Sequence, residues 1–220
     1  MSRAMFGLPA EIRTYIQSVS LRESPLQERL RAETAKLPMG GMQISPEQGQ
    51  LMALLARLID ARLYVEVGTF TGYSALSVVQ AMPADGRAIC CDVSEEWTSV
   101  ARRYWKEAGI AERIDLRLAP AVGTLDALLA DGYEGKVDLA FVDAGKTGYA
   151  AYVERIARLL RPNGLLLIDN VLWGGKVADP SVANEDTVAL RELNLRLKDD
   201  PCFDISMLPV GDGLTLARKR

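Results

Sequence analysis

The chain has 220 residues, of which 26 are basic and 29 acidic, for a net charge of −3. That length suits one α/β domain with an elaboration and is short for two full domains, and the balanced charge gives no bulk attraction for nucleic acid. Histidine is absent altogether, which excludes a His-based triad, a His general base and a His-ligated zinc site, so any metal needs oxygen or sulfur ligands.

Two short helices are expected first, near Pro9–Val19 and Pro25–Lys36, ahead of the turn-like Pro38–Gly41. Ser45-Pro-Glu-Gln48 has the form of a capping box, with Ser45 as N-cap and Gln48 reaching back to it. The helix it opens should run to Ile59, with Leu51, Leu54, Leu55, Leu58 and Ile59 as one buried stripe. From Leu63 the pattern alternates: strand Leu63–Val67, helix Gly72–Met82, strand Arg87–Asp92, then a helix capped by Ser94 with Glu95 and Glu96 in its first turn. Strand Ile114–Leu118, helix Thr124–Leu129, strand Val137–Asp143, helix Tyr149–Leu160 and strand Gly164–Asp169 continue it, with Arg161–Gly164 as a turn ending the helix before it. A last helix, Glu185–Asp199, precedes strands Phe203–Leu208 and Leu214–Arg218, paired as a hairpin around Gly211-Asp-Gly213. Phe203, Ile205 and Met207 alternate with Asp204 and Ser206, the period of a half-exposed strand. The fold class is α/β: a doubly wound, mainly parallel sheet with an antiparallel C-terminal pair and N-terminal helices.

Cys90 and Cys91 sit together in an apolar run and Cys202 lies far away. This is neither a disulfide framework nor a metal-ligand spacing, so all three read as packing residues of a reducing compartment. No apolar run reaches membrane-spanning length, and residues 1–7 lack a signal-peptide core. The expectation is a cytoplasmic protein with a small-molecule partner, no nucleic acid and no membrane.

The chemistry concentrates at strand ends. Tyr64-Val-Glu-Val-Gly-Thr-Phe-Thr-Gly-Tyr-Ser74 reads as strand, tight turn and helix start, with Gly68 and Gly72 letting the backbone pass close to a bound molecule and Glu66 accepting from a polar ligand. Asp92 closes the next strand, where an acid in a doubly wound sheet can hold ribose hydroxyls. A dinucleotide dehydrogenase would need a third glycine, and here bulky Phe70 stands between the two present. A sulfonium nucleoside, which carries no phosphate, suits Glu66 better. The fourth and fifth strands end in Asp143 and in Asp169-Asn170. Three convergent oxygen donors suit Mg²⁺, or Mn²⁺ or Ca²⁺; each residue is equally compatible with an ordinary turn or cap. Lys146, three residues after Asp143, is the nearest candidate base or charge stabiliser.

From Met42 to the C-terminus the chain resembles the cation-dependent class I O-methyltransferases that use S-adenosylmethionine (SAM), the group of the caffeoyl-coenzyme A and catechol enzymes. The resemblance rests, in order, on Met42-Gln-Ile-Ser-Pro-Glu-Gln-Gly-Gln50, Glu66–Ser74, Phe141-Val-Asp-Ala-Gly-Lys146, Ile168-Asp-Asn-Val-Leu-Trp-Gly-Gly175 and Leu208-Pro-Val-Gly-Asp-Gly213. It implies a Rossmann-like, seven-stranded sheet in a single domain, residues 1–45 forming a helical cap or dimerisation segment and 46–220 the catalytic core. It also implies a homodimer. Carried over by position, it places the methionine part of SAM near Ile44, Glu66, Gly68, Thr69 and Ser74, the ribose on Asp92 and the adenine near Ala121, with Asp143 also close to the donor. The metal falls on Asp143, Asp169 and Asn170, Lys146 assists deprotonation of a phenol, and Asn170 and Trp173 face the aromatic hydroxyl substrate. This chain departs from the pattern at Gly145, where many relatives carry Asp, and at Gly174, where plant relatives carry an acceptor-binding Asn. A donor-binding protein without activity, or an enzyme for a non-catechol acceptor, is the alternative.

Overall fold

The computed structural model describes residues 7–220; the first six residues of the stretch read for a signal-peptide core lie outside the described residues. The N-terminal helices are α1 (Ala10–Ser20), α2 (Pro25–Thr34) and α3 (Pro46–Leu58). The alternating part runs β1 (Leu63–Val67), α4 (Tyr73–Ala81), β2 (Arg87–Asp92), α5 (Glu95–Glu107), β3 (Ile114–Leu118), α6 (Ala121–Ala130), β4 (Val137–Val142), α7 (Tyr149–Leu159) and β5 (Leu160–Asp169). It closes with α8 (Glu185–Asp199), β6 (Phe203–Leu208) and β7 (Leu214–Lys219).

The strands form one seven-stranded sheet in the order β3-β2-β1-β4-β5-β7-β6. The four pairings among β1 to β5 are all parallel, and β7 runs antiparallel to both β5 and β6. Side-chain alternation splits the sheet into two faces: on β1, Tyr64 joins the core packed with α3, α4 and α5, while Val65 and Val67 join the core of α6, α7 and α8. Strand order reverses between β1 and β4, so the crevice at their C-terminal ends is where such a sheet receives a ligand.

Four local expectations fail for physical reasons. Leu51, Leu55 and Ile59 pack partly buried against the core, but Leu54 and Leu58 are 51% and 70% exposed, and the fully buried residues of α3 include Gly49, Met52 and Ala56 instead. A Cβ on Gly49 would stand 2.7 Å from the Tyr73 ring; the small residues win the inner face because they let α3 approach α4 closely. The capping box at Ser45 is half-formed: Ser45 accepts from Gln48 N, but the Gln48 side chain turns into the protein rather than back to the cap. The complete box is at Ser24 and Gln27, opening α2. Arg161–Gly164 does not separate α7 from β5 but lies within the strand as an irregularity, with Asn163 at φ 64° and a register jump opposite Val137–Leu139. Finally, β6 is the sheet edge and buries only Phe203 fully, leaving Ile205 and Met207 at 38% and 41% exposure, and Cys202 is exposed where Cys90 and Cys91 are buried.

Candidate functional site

A cavity of about 560 Å³ opens at the β1/β4 crevice. Of the residues expected to take a donor, Ile44, Gly68, Thr69, Ser74, Asp92 and Ala121 line it; of those expected around the metal and acceptor, Asp143, Lys146, Asn170 and Trp173 line it. Glu66 and Asp169 do not line it and lie buried, at 0% and 3% exposure. The two groups of residues, far apart in the chain, thus share one pocket.

The donor end is held by backbone. Gly68 has φ 91°, and a Cβ there would fall 1.9 Å from the carbonyl oxygen of Asp143. Gly72, at φ 82°, opens α4, and its Cβ would meet Ala101 and the indole of Trp105. Both glycines are therefore demanded by the protein's own close packing, a requirement the sequence reading did not see, and Gly68 also lines the cavity. Phe70, between them, also has a positive φ of 51° and stacks edge-on against Trp97 at 5.1 Å. The turn is clamped by Asp92, whose Oδ2 accepts from Thr69 N at 2.9 Å and Phe70 N at 2.8 Å while its Oδ1 accepts from Val93 N and Ser94 N. Four N–H groups engage the lone pairs of one carboxylate, so any hydroxyl bound by Asp92 shares oxygens that already fix the loop.

Glu66 lies beneath that turn. Its Oε2 accepts from the Tyr64 hydroxyl at 2.7 Å, and its Oε1 has no hydrogen-bond partner among the described residues. Burial pushes its pKa up to about 7, against the hydroxyls of Tyr64, Ser74 and Thr69, which favour the ionised form. A buried, half-satisfied carboxylate of this kind awaits a donor, most effectively a cationic one.

The other end is held by side chains from three elements. Lys146, 6% exposed, donates from Nζ to Asp143 Oδ1 at 3.0 Å, to the Tyr149 hydroxyl at 2.6 Å and to Asn170 Oδ1, and it stands 5.4 Å from the Trp173 ring centroid. Asp169 Oδ1 accepts from Asn170 N at 2.6 Å. Burial first, and then the Asp143 carboxylate, raise Asp169 well above the usual carboxylate range, partly offset by Lys146. Among the described residues no group of three or more Asp, Glu, Cys or His side chains gathers to hold a metal. The set that could do so is two carboxylates and the Asn170 amide oxygen, all hard oxygen donors, in a place where the buried Asp169 and the half-buried Asp143 repel each other and only Lys146 offsets them.

Tyr149 is fully buried against Lys146 and was not picked out from sequence, although it follows Lys146 at one helical turn. Tyr152, Trp97 and Asp186 also line the cavity; nothing in their spacing marked them. The N-terminal segment contributes as well: Thr34 Oγ1 donates to Thr71 Oγ1 at 2.8 Å, Tyr73 donates to Glu23, and Gln27 donates to Ser77, tying α2 to the donor turn and α4.

The sequence profile of the O-methyltransferase family matches residues 17–220. The chain belongs to that family and is an O-methyltransferase. It is 46% identical over 205 residues to catechol O-methyltransferase domain-containing protein 1 of Mus musculus, covering 93% of this chain and 78% of the mouse protein. It is 40% identical over 210 residues to caffeoyl-CoA O-methyltransferase 1 of Eucalyptus globulus, covering 92% and 85%. Among solved structures, the O-methyltransferase TomG from Streptomyces achromogenes, in complex with SAM, superposes with a TM-score of 0.86 at 29% identity, covering 95% of this O-methyltransferase and 96% of TomG. No helix among the described residues of the enzyme is long and apolar enough to cross a membrane.

Proposed function

We propose that this O-methyltransferase transfers the methyl group of SAM to a hydroxyl of a catechol-like small molecule, with a divalent cation in the same pocket. The observation that carries this reading is the single cavity lined both by the Gly68–Ser74 turn and by Asp143, Lys146 and Asn170. The orphan Oε1 of Glu66 fits the positive methionine end of SAM; Asp92 would take the ribose, Ala121 the adenine side, and Ile44, Thr69 and Ser74 the remainder. Asp143, Asp169 and Asn170 would hold Mg²⁺, or Mn²⁺ or Ca²⁺, and their all-oxygen chemistry fits such an ion. When bound, the cation supplies positive charge that favours an ionised phenol. Lys146 Nζ, held in place by Asp143, Tyr149 and Asn170, would take the phenol proton as the neutral amine or, as the ammonium, stabilise the phenolate charge. The phenolate oxygen would take the sulfonium methyl in line as the C–S bond breaks and the neutral thioether leaves, and the protein's main contribution would be to hold the two at near-attack distance. Trp173 offers an aromatic wall to the acceptor.

The domain division belongs to the same proposal. Within the segment 1–45 the described residues would act as a cap, since α2 is bonded to the donor turn and Ile44 lines the pocket. The homodimer does too: α1 buries none of its residues and leaves Tyr15 and Val19 at 64% and 61% exposure. Light scattering of the purified protein tests that part.

The deciding assay measures methyl transfer from labelled SAM to a panel of catechols and their mono-hydroxyl counterparts. Turnover should require added Mg²⁺ or Mn²⁺, and Asp169→Ala should lose it by on the order of 10³-fold, the several kcal/mol that Lewis-acid charge stabilisation contributes. Full activity in excess chelator overturns the metal-dependent reading.

A further inference from the structure

The helix-opening motif at Ser45 contains a residue that the capping role does not absorb. Gln48 is 1% exposed, and its Nε2 has no hydrogen-bond partner among the described residues. The side chain faces a small cavity of about 10 Å³, the size of roughly one water, shared with Asp169, Asn170, Gly211 and Asp212. Gly211, at φ 59°, makes the approach possible: a Cβ there would fall 2.5 Å from Gln48 Oε1. Packing alone would be served by Met or Leu, which bring no polar group that burial penalises.

Asp169 lies across that cavity. Its Oδ1 is fixed by Asn170 N, and its remaining acceptor capacity faces a region where the Gln48 amide supplies N–H donors. Metal-ligating carboxylates are commonly held from outside by a hydrogen bond that sets their orientation, and loss of that bond weakens metal affinity.

We infer that Gln48 is a positioning residue for the cation site, its buried amide orienting the Asp169 carboxylate from the side away from the main pocket. This rests on the metal-dependent reading proposed above. Gln48 does not line the main pocket, so it acts only through Asp169.

The test is Mn²⁺ binding, followed by the electron paramagnetic resonance signal of the free ion, on the full-length wild type and on Gln48→Met, with S-adenosylhomocysteine affinity measured by calorimetry on both. Methionine keeps the length and bulk but has no donor. We expect Gln48→Met to bind Mn²⁺ about 10- to 100-fold more weakly with unchanged S-adenosylhomocysteine affinity. Mn²⁺ affinity equal to wild type overturns this inference and leaves the metal-dependent reading intact. Absence of Mn²⁺ binding by the wild type overturns both. Should Gln48→Met lose S-adenosylhomocysteine binding, and with it the folded pocket, Gln48→Leu, which also lacks a donor, is read the same way.

Discussion

The two ends of the pocket are built on different principles. At the donor end, positions are set by main chain: two left-handed glycines and four N–H groups closing on Asp92. At the acceptor end, Lys146, Tyr149, Asp143 and Asn170 hold one another through side chains from the ends of β4 and β5 and the start of α7. A backbone-held site is rigid and tolerates little substitution in its turn. A side-chain network is adjustable, and each member depends on charges that burial makes costly.

The largest effect should come where the two ends touch. Gly68→Ala places a Cβ against the Asp143 carbonyl at a φ that L-residues rarely adopt, so we expect a loss of about 3 kcal/mol of stability. Urea unfolding measures it, and a wild-type midpoint would show that the strand ends separate freely. Next, Tyr149→Phe removes one acceptor from Lys146 without removing the ring. Turnover should fall by about tenfold, the value of one charge-assisted hydrogen bond, with SAM affinity unchanged; an equal loss of SAM affinity would erase the distinction between the two ends.

A smaller effect separates them by pH. Glu66 is raised to about 7 in the folded protein from the ordinary 4.5, so between about pH 4.5 and 7 the native state binds more protons than the unfolded one, and stability falls as pH rises. Glu66→Gln should flatten that part of the profile of thermal midpoint against pH, leaving the similarly signed contribution of Asp169. A slope identical to wild type would mean Glu66 is ionised throughout. The smallest effect is expected at Gly145, which has φ −60° and ψ 123°, open to any residue, and no atom within 4 Å of a Cβ. Gly145→Asp should leave the midpoint within about 0.5 kcal/mol of wild type while adding a carboxylate to the acceptor end, read as tighter Mn²⁺ binding.

Much of this was legible before any coordinates. Strand and helix positions from Leu63 onward follow from apolar runs punctuated by Gly, Asp and Pro, and α8 and β6 match the observed bounds. Most of the residues expected at the pocket line it, Glu66 and Asp169 excepted, because in a doubly wound sheet every parallel strand delivers its C-terminal end to one edge. Less legible were choices between faces. On α3 the leucines have the stronger periodicity, yet Gly49 and Ala56 turn inward, since how closely α3 can approach Tyr73 is a property of two helices together. The packing demand on Gly68 was invisible for the same reason: its neighbour is Asp143, seventy-five residues on.

By itself, then, the sequence determined the order of the elements, the absence of histidine chemistry and which strand ends carry carboxylates, because these depend on local composition and period. Only the tertiary structure decided that Glu66 is buried with a free oxygen, that Asp92 is already engaged by four backbone N–H groups, that Tyr149 braces Lys146 and that Gln48 faces Asp169. Those are properties of burial and pairing across the sheet, and desolvation acts on a group only once the rest of the chain has closed around it.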